Sequence, residues 1–263
     1  MSTDPSNLHK IVIVGGGAGG LELVTQLGNS LGKTHKAKIT LVDQTLTHIW
    51  KPLLHEIAAV TINPHTEETN YFAHASKHHY EFVLGSLIDL DQTTKQIIIE
   101  TTQLSKPDQT QKNLRLDYDT LIIAVGSTSN DFNTEGVKQH CHFLDSRKQA
   151  DVFQQDLLHL YLEAQNNETT RALNIAIIGA GATGIELATE LYQAKQTFFK
   201  YGLNKIDPKN VNITVIEAAD RILPSLSETI AKHTSHQLAQ FGIQVLTMHR
   251  VAKVDENKVY FSD

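Results

Sequence analysis

Cysteine is nearly absent from this 263-residue chain, in which Cys141 stands alone. A single thiol excludes an intrachain disulfide, a CxxC redox pair and a cysteine-rich zinc site, and it fits a reducing compartment. Basic residues are also scarce relative to acidic ones, 23 Lys and Arg against 29 Asp and Glu, giving a formal charge of -6. Broad attraction to nucleic acid or to an anionic membrane needs the opposite balance, so neither partner is expected. No apolar run approaches the roughly 18 residues of a spanning helix. Any membrane contact is therefore expected to be peripheral or to lie outside this chain. The polar start, Met1 to Asn7, leads straight into a strand and lacks the charged-then-apolar order of a secretory signal.

What is present is a repeated pattern. His9 to Val14 (HKIVIV) precedes the glycines of Gly15 to Gly20 and the run LELVTQL; Leu173 to Ile178 (LNIAII) precedes Gly179 to Gly184 and IELATELYQA. Each is a β-branched run, a glycine turn and an apolar set at helical spacing, which predicts strand, turn and helix in that order. A second strand is predicted after each, Ala37 to Val42 before Asp43 and Val211 to Ile216 before Glu217. Two such starts predict an α/β chain with two Rossmann-like dinucleotide-binding domains. Residues 1–145 are assigned to the first and 146–263 to the second, a division consistent with about 150 residues per domain.

Between the repeats, Trp50 to Val60 predicts a short helix with Pro52 in its first turn. Strands are expected at Tyr80 to Leu84, Lys95 to Thr101 and Leu114 to Tyr118, with a polar hairpin loop over Thr102 to Asn113. Thr120 to Val125 (TLIIAV) is expected as a buried strand ending in Gly126. A charged helix is expected from near Asp145, and another around Ser227 to Phe241. The run ends after short strands without the further central strand a doubly wound domain wants, so both domains are expected to be incomplete at Asp263.

A GxGxxG turn works because its first glycine permits the tight turn, the second admits a pyrophosphate to the backbone, and the third lets helix and strand pack closely. The helix N-terminus then offers N–H groups to the phosphates. Gly15, Gly17, Gly19 and Gly20 are followed by Asp43 at near the ~20-residue spacing of a ribose-binding acid. Gly179, Gly181 and Gly184 are followed by Glu217 at a longer interval, which an extended helix and the polar loop Gly202 to Asn210 account for. A carboxylate at Glu217 accepts from ribose hydroxyls and repels a 2′-phosphate, favouring NADH over NADPH; Arg221, four residues on, is the counter-reading.

The first motif, the segment Leu116 to Ser127 (LDYDTLIIAVGS) and the second motif together resemble the two-dinucleotide-binding-domain flavoproteins. Disulfide reductases of that superfamily carry cysteines after the first acid, whereas Gln44 to Val60 has none, and lone Cys141 cannot make the thiol pair of a sulfide:quinone reductase. HIWKPLLHEIAA, GAGATGIELATEL and IEAADRILP resemble the type II NADH dehydrogenases, peripheral enzymes that reduce a quinone with NADH through FAD without pumping protons. The resemblance implies that Gly15, Gly17, Gly19, Gly20 and Asp43 hold FAD, with Gln44, Lys51, the backbone at Leu87, and Ala124 and Gly126 beside it. It implies that Gly179, Gly181, Gly184 and Glu217 hold NADH, and that Glu186 lies beside the nicotinamide as the one catalytic candidate. Family members continue past this chain's last residue with a quinone-site segment and C-terminal helices. The quinone, attachment at the cytoplasmic face of the inner or plasma membrane, and a homodimer are therefore expected of the full-length protein, while these residues alone are expected to be soluble.

Other residues admit plainer readings. His74, His78 and His79 place an i, i+4 pair on a helix, but His55-Glu56 meets Ala59 where HExxH needs histidine, and no metal site is expected. His48 and His55 flank the flavin-loop candidate with packing and catalytic readings open. Trp50 is expected in the core, and Asp119 as a structural turn acceptor. Two rival functions remain: a reductase of the same fold serving a ferredoxin-like protein or oxygen, and a nucleotide-binding module without turnover.

Overall fold

The computed structural model describes residues 8–63, 66–101, 113–167 and 172–262. It forms two compact units, Met1–Lys51 with His65–Ser127, and Pro52–Pro64 with Thr128–Asp263. This partition leaves the first unit at Ser127, earlier than the 145/146 division drawn from the sequence, and gives the short 52–63 stretch to the second unit. Of the hairpin loop expected over 102–113, residues 102–112 lie outside the described residues, and Asn113 opens a strand.

The first unit is a six-stranded sheet with the order β7-β6-β5-β2-β1-β8. Its elements are β1 (His9–Val14), α1 (Ala18–Leu27), β2 (Ala37–Asp43), β3 (Thr47–His48), β4 (Thr69–Asn70), α3 (Tyr71–His78), β5 (Glu81–Asp91), β6 (Gln96–Thr101), β7 (Asn113–Asp117) and β8 (Thr120–Ile123). Strand β1 is internal, next to the edge strand β8, and runs parallel to β2 on one side and to β8 on the other. Helices cover one face and the β6-bearing ribbon the other, so both faces of β1 are buried and its sequence is a nearly unbroken apolar run. Ile11 and Ile13 join Val24, Ile39 and Leu41 on one side, and Val12 and Val14 join Val42, Ile97 and Ile99 on the other. Each fully buried aliphatic side chain contributes roughly 1.5–3 kcal/mol relative to exposure.

Strand β5 runs beyond the expected Leu84 because it changes partner. It pairs in parallel with β2 as far as Leu84, then antiparallel with β6 from Gly85 to Asp91. Strand β8 corrects an expectation. It is the edge strand of its sheet among the described residues, so Ile123 is 51% and Val125 65% exposed despite their apolar character. Trp50 is a second correction, at 54% exposed rather than in the core.

The second unit contains α2 (Leu54–Ala58), α4 (Val137–His140), α5 (Arg147–Asn167), β9 (Leu173–Ile178), α6 (Ala182–Lys200), β10 (Val211–Ile216), α7 (Glu228–Gln240), β11 (Gln244–Leu246), β12 (Val251–Val254) and β13 (Val259–Phe261). Its parallel sheet has the order β11-β10-β9, so among the described residues β10 is central and β9 lies at the edge. The two strands that look alike in sequence thus take different places in their sheets. Helix α5 starts at a capping box, in which Gln149 Oε1 accepts from the backbone N–H of Asp145 and Ser146 at 2.8 and 3.0 Å. Its Leu157 and Tyr161 pack with Ala59, Leu191 and Phe198 in one core. Ser227 caps α7 by accepting from Ile230 N. No helix among the described residues is long and apolar enough to cross a membrane.

Candidate nucleotide-binding sites

The site in the first unit is built at the carboxyl ends of β1, β2 and β8. Gly15 turns the chain at φ +102°, a conformation costly for any residue with a side chain. A Cβ there would stand 2.4 Å from Ala124 O, so the Ala124-Val125 backbone closes against the turn. Gly20 completes the fit, since its Cβ would lie 1.8 Å from Gly15 O. Asp43 latches the loop: Oδ2 accepts from Gly16 N at 2.7 Å, and Oδ1 accepts from Thr45 N and Thr45 Oγ1 at 2.8 and 2.6 Å. Open space lies over Gly17, which starts α1 with no side-chain cap and no acidic residue in the first turn. The helix start therefore leaves its N–H groups without a side-chain cap or an acidic residue of the first turn, an arrangement able to accept an anion.

The remaining candidates of this unit are arranged around that turn. Ala124 N donates to Val14 O at 2.7 Å, and Gly126 follows at φ +72°, exposed. Lys51 Nζ donates to Ser127 O at 2.6 Å, which ties the flavin-loop candidate to the end of the β8 segment. Leu87 lies on β5 just past Leu84, the partner of Asp43 in the β2 pairing. Gln44 and Gly19 are exposed, on the turn after β2 and on the first turn of α1. Asp119 Oδ2 accepts from Lys10 N at 2.7 Å, a structural role as expected, but the bond crosses to β1 and does not lie within a turn.

Two further side chains complete this cradle: Tyr71, which no motif names, and His48, the first residue of the HIWKPLLHEIAA string. Tyr71 is buried, and its hydroxyl donates to Gly16 O at 2.7 Å; His48 Nδ1 donates to the same carbonyl at 2.9 Å. For Tyr71 the trace in the sequence is negative, a glycine at position 16 where a Cβ would fall 2.2 Å from the Tyr71 hydroxyl.

The second unit repeats the turn. Gly179 has φ +104°, a Cβ on Gly184 would lie 2.1 Å from Gly179 O, and open space lies over Gly181. Glu217 latches it with Oε2 accepting from Ala180 N at 2.8 Å and Oε1 from Ala219 N at 2.9 Å. Helix α6 begins at Gly181 uncapped and without an acidic first turn. Arg221 donates to the carbonyls of Leu226 and Pro224, both at 2.9 Å, so its guanidinium is folded onto its own loop. Glu186 sits one turn into α6 with Oε2 3.7 Å from Nδ1 of buried His55; the glutamate is half exposed. Of the other histidines, His74 Nδ1 is 2.9 Å from the Tyr80 hydroxyl, and its ring stacks on His78 with centroids 4.2 Å apart.

Residues 9–262 match the family model described as pyridine nucleotide-disulphide oxidoreductase. The chain belongs to that family. Among its relatives is the type II NADH:quinone oxidoreductase of Haemophilus influenzae, 40% identical over 97% of this chain and 61% of that protein. An external alternative NAD(P)H-ubiquinone oxidoreductase of Arabidopsis thaliana is 27% identical over 95% of the chain and 43% of its own length. The structure of NDH2 from Plasmodium falciparum in complex with NADH aligns with a TM-score of 0.81 at 24% identity, over 95% of this chain and 50% of that one, a likeness of fold. The chain thus spans about two-fifths to three-fifths of the length of these oxidoreductases.

Proposed function

We propose that the protein containing this chain oxidises NADH through FAD and passes the electrons to a quinone, without moving protons across a membrane. The first unit would hold FAD and the second NADH. The observation that supports this most is the pair of glycine turns, each latched by a carboxylate and each opening on an uncapped helix start, in a member of an oxidoreductase family. The type II NADH:quinone oxidoreductase relative favours the quinone as acceptor.

FAD, when bound in the first unit, would supply a two-electron acceptor for the nicotinamide hydride. The chain's own residues bind and align. Amides at Gly17 and Gly181 would face the two pyrophosphates. Asp43 and Glu217 each use both oxygens to hold the turn, and the acceptor lone pairs left on those oxygens would serve ribose hydroxyls; at Glu217 this disfavours a 2′-phosphate. Ala124, Gly126, Gln44, Lys51 and the backbone at Leu87 would line the flavin nucleotide. Glu186 would orient the carboxamide, with His55 fixing the carboxylate from its buried side. Alignment within van der Waals reach supplies most of the rate in such a transfer.

The test uses the purified full-length protein. A visible flavin band that bleaches anaerobically with NADH and returns on adding a soluble quinone is the expected result. A colourless protein, or a flavin band that NADH leaves unchanged, would remove the proposal; the second outcome would make the chain a binding module.

A further inference from the structure

Tyr71 lies far from the glycine motif in sequence and is buried at 2% exposure, with its hydroxyl on the carbonyl of the motif's second residue. Its ring is held by stacking on Phe82, with centroids 4.9 Å apart. Burial, and after it the Asp43 carboxylate, pushes its hydroxyl pKa far above the ordinary tyrosine value, so the proton it donates stays in place at any pH the protein meets. His48 approaches the same oxygen from β3, whose pairing with β4 sets it beside Tyr71. On the other side of Gly16, the amide is fixed by Asp43. Both ends of one residue's backbone are therefore pinned by side chains from three separate segments.

We propose that Tyr71 and His48 are positioning residues for the FAD pyrophosphate, acting by pinning the Gly16 carbonyl so that the next amide, at Gly17, is presented outward. The reasoning rests on peptide planarity. In a trans peptide the C=O and the following N–H point in opposite directions, so a carbonyl pulled into the core turns the amide out of it. There are no cis bonds among the described residues, and Gly17 faces open space. A carbonyl with two donors cannot rotate without breaking both hydrogen bonds, which preorganises the phosphate contact before any nucleotide arrives. This inference rests on the FAD assignment of the first unit made above.

The experiment compares wild type with Tyr71→Phe, His48→Ala and His48→Asn in the full-length protein. Flavin release is followed by the fluorescence of freed FAD, and melting is measured for apo and holo forms. Tyr71→Phe and His48→Ala are expected to speed release about tenfold each, the size of one lost hydrogen bond to a buried acceptor. His48→Asn, which keeps an amide donor near the Nδ1 position, is expected to release at close to the wild-type rate. The gap between holo and apo melting temperatures should shrink in the two weakened variants while KM for NADH stays unchanged. Wild-type release rates in Tyr71→Phe, or equal falls in apo and holo melting temperature, would show a merely structural role and overturn the proposal. A wild-type protein without flavin would instead overturn the FAD assignment and this inference with it.

Discussion

The two glycine turns share their backbone and differ in how they are supported. Gly15 and Gly179 have nearly the same φ, each donates its N–H to the last residues of the neighbouring strand, Val42 O and Ile216 O, both at 2.8 Å, and each is followed by a residue whose amide a carboxylate accepts. The carbonyl of that following residue is treated differently. In the first unit the Gly16 carbonyl takes two side-chain donors, Tyr71 and His48. In the second, the Ala180 carbonyl takes the backbone N–H of Leu223, a residue held at φ +48°. A polar group at this position must be satisfied in either case. One unit does so with an aromatic ring that leaves no room for a methyl group, the other with a strained loop that leaves room for alanine.

The sharpest way to break the symmetry is to block one turn at a time. A methyl at Gly20 or at Gly184 meets a backbone carbonyl within 1.8 or 2.1 Å, which no side-chain adjustment relieves. Each change is expected to weaken its own nucleotide by more than about 3 kcal/mol, the scale of severe overpacking. Gly20→Ala should yield protein with little flavin. Gly184→Ala should keep the flavin band, which dithionite bleaches and NADH does not. Loss of flavin from Gly184→Ala would show that the two turns do not serve separate ligands.

Exchanging the second residues is the next largest effect. Gly16→Ala drives a methyl into the buried Tyr71 ring and is expected to cost about 1–3 kcal/mol, roughly ten- to hundredfold in flavin affinity. Ala180→Gly removes one buried methyl and frees the unfolded chain, together about 1–2 kcal/mol of stability, with KM for NADH changed less than about threefold. Equal sensitivity of the two positions, measured by flavin titration and NADH kinetics, would contradict the different supports.

The turns themselves were legible because a glycine pattern after an apolar run encodes local geometry, and so were the acids Asp43 and Glu217, which sit at strand ends. The supports were not. Tyr71 reaches Gly16 only once α3 is docked on the sheet, and nothing near position 71 signals a partner at position 16. HKIVIV and LNIAII read alike, and among the described residues β1 has a neighbouring strand on both sides and β9 on one. TLIIAV reads as buried because apolar content reports the kind of strand and not the neighbours it has. Trp50 fails for a related reason, since an isolated aromatic carries no periodic partner to say which way it faces.

The smallest expected difference between the units is in how they respond to pH. In the first, burial and then His78, Lys77 and His48 lower the pKa of His74, which is also held by the Tyr80 hydroxyl. In the second, burial lowers the pKa of Lys195, whose ammonium donates to Val211 O at 3.1 Å. In both cases the unfolded chain holds the proton more tightly than the folded one, so stability rises with pH between the lowered folded pKa and the unfolded value. The windows differ: for His74 it ends at 6.5 and for Lys195 at 10.5. Acidification below 6.5 should therefore loosen α3, and α6 should tighten as the pH rises towards 10.5. Hydrogen exchange, corrected for its intrinsic pH dependence, reads each helix separately, and one proton limits the change to about tenfold per pH unit. His74→Gln should flatten the acid response of α3 alone. If α3 and α6 loosened together in acid, the two units would be responding as one cooperative body, and their histidine and lysine would not be the groups in control.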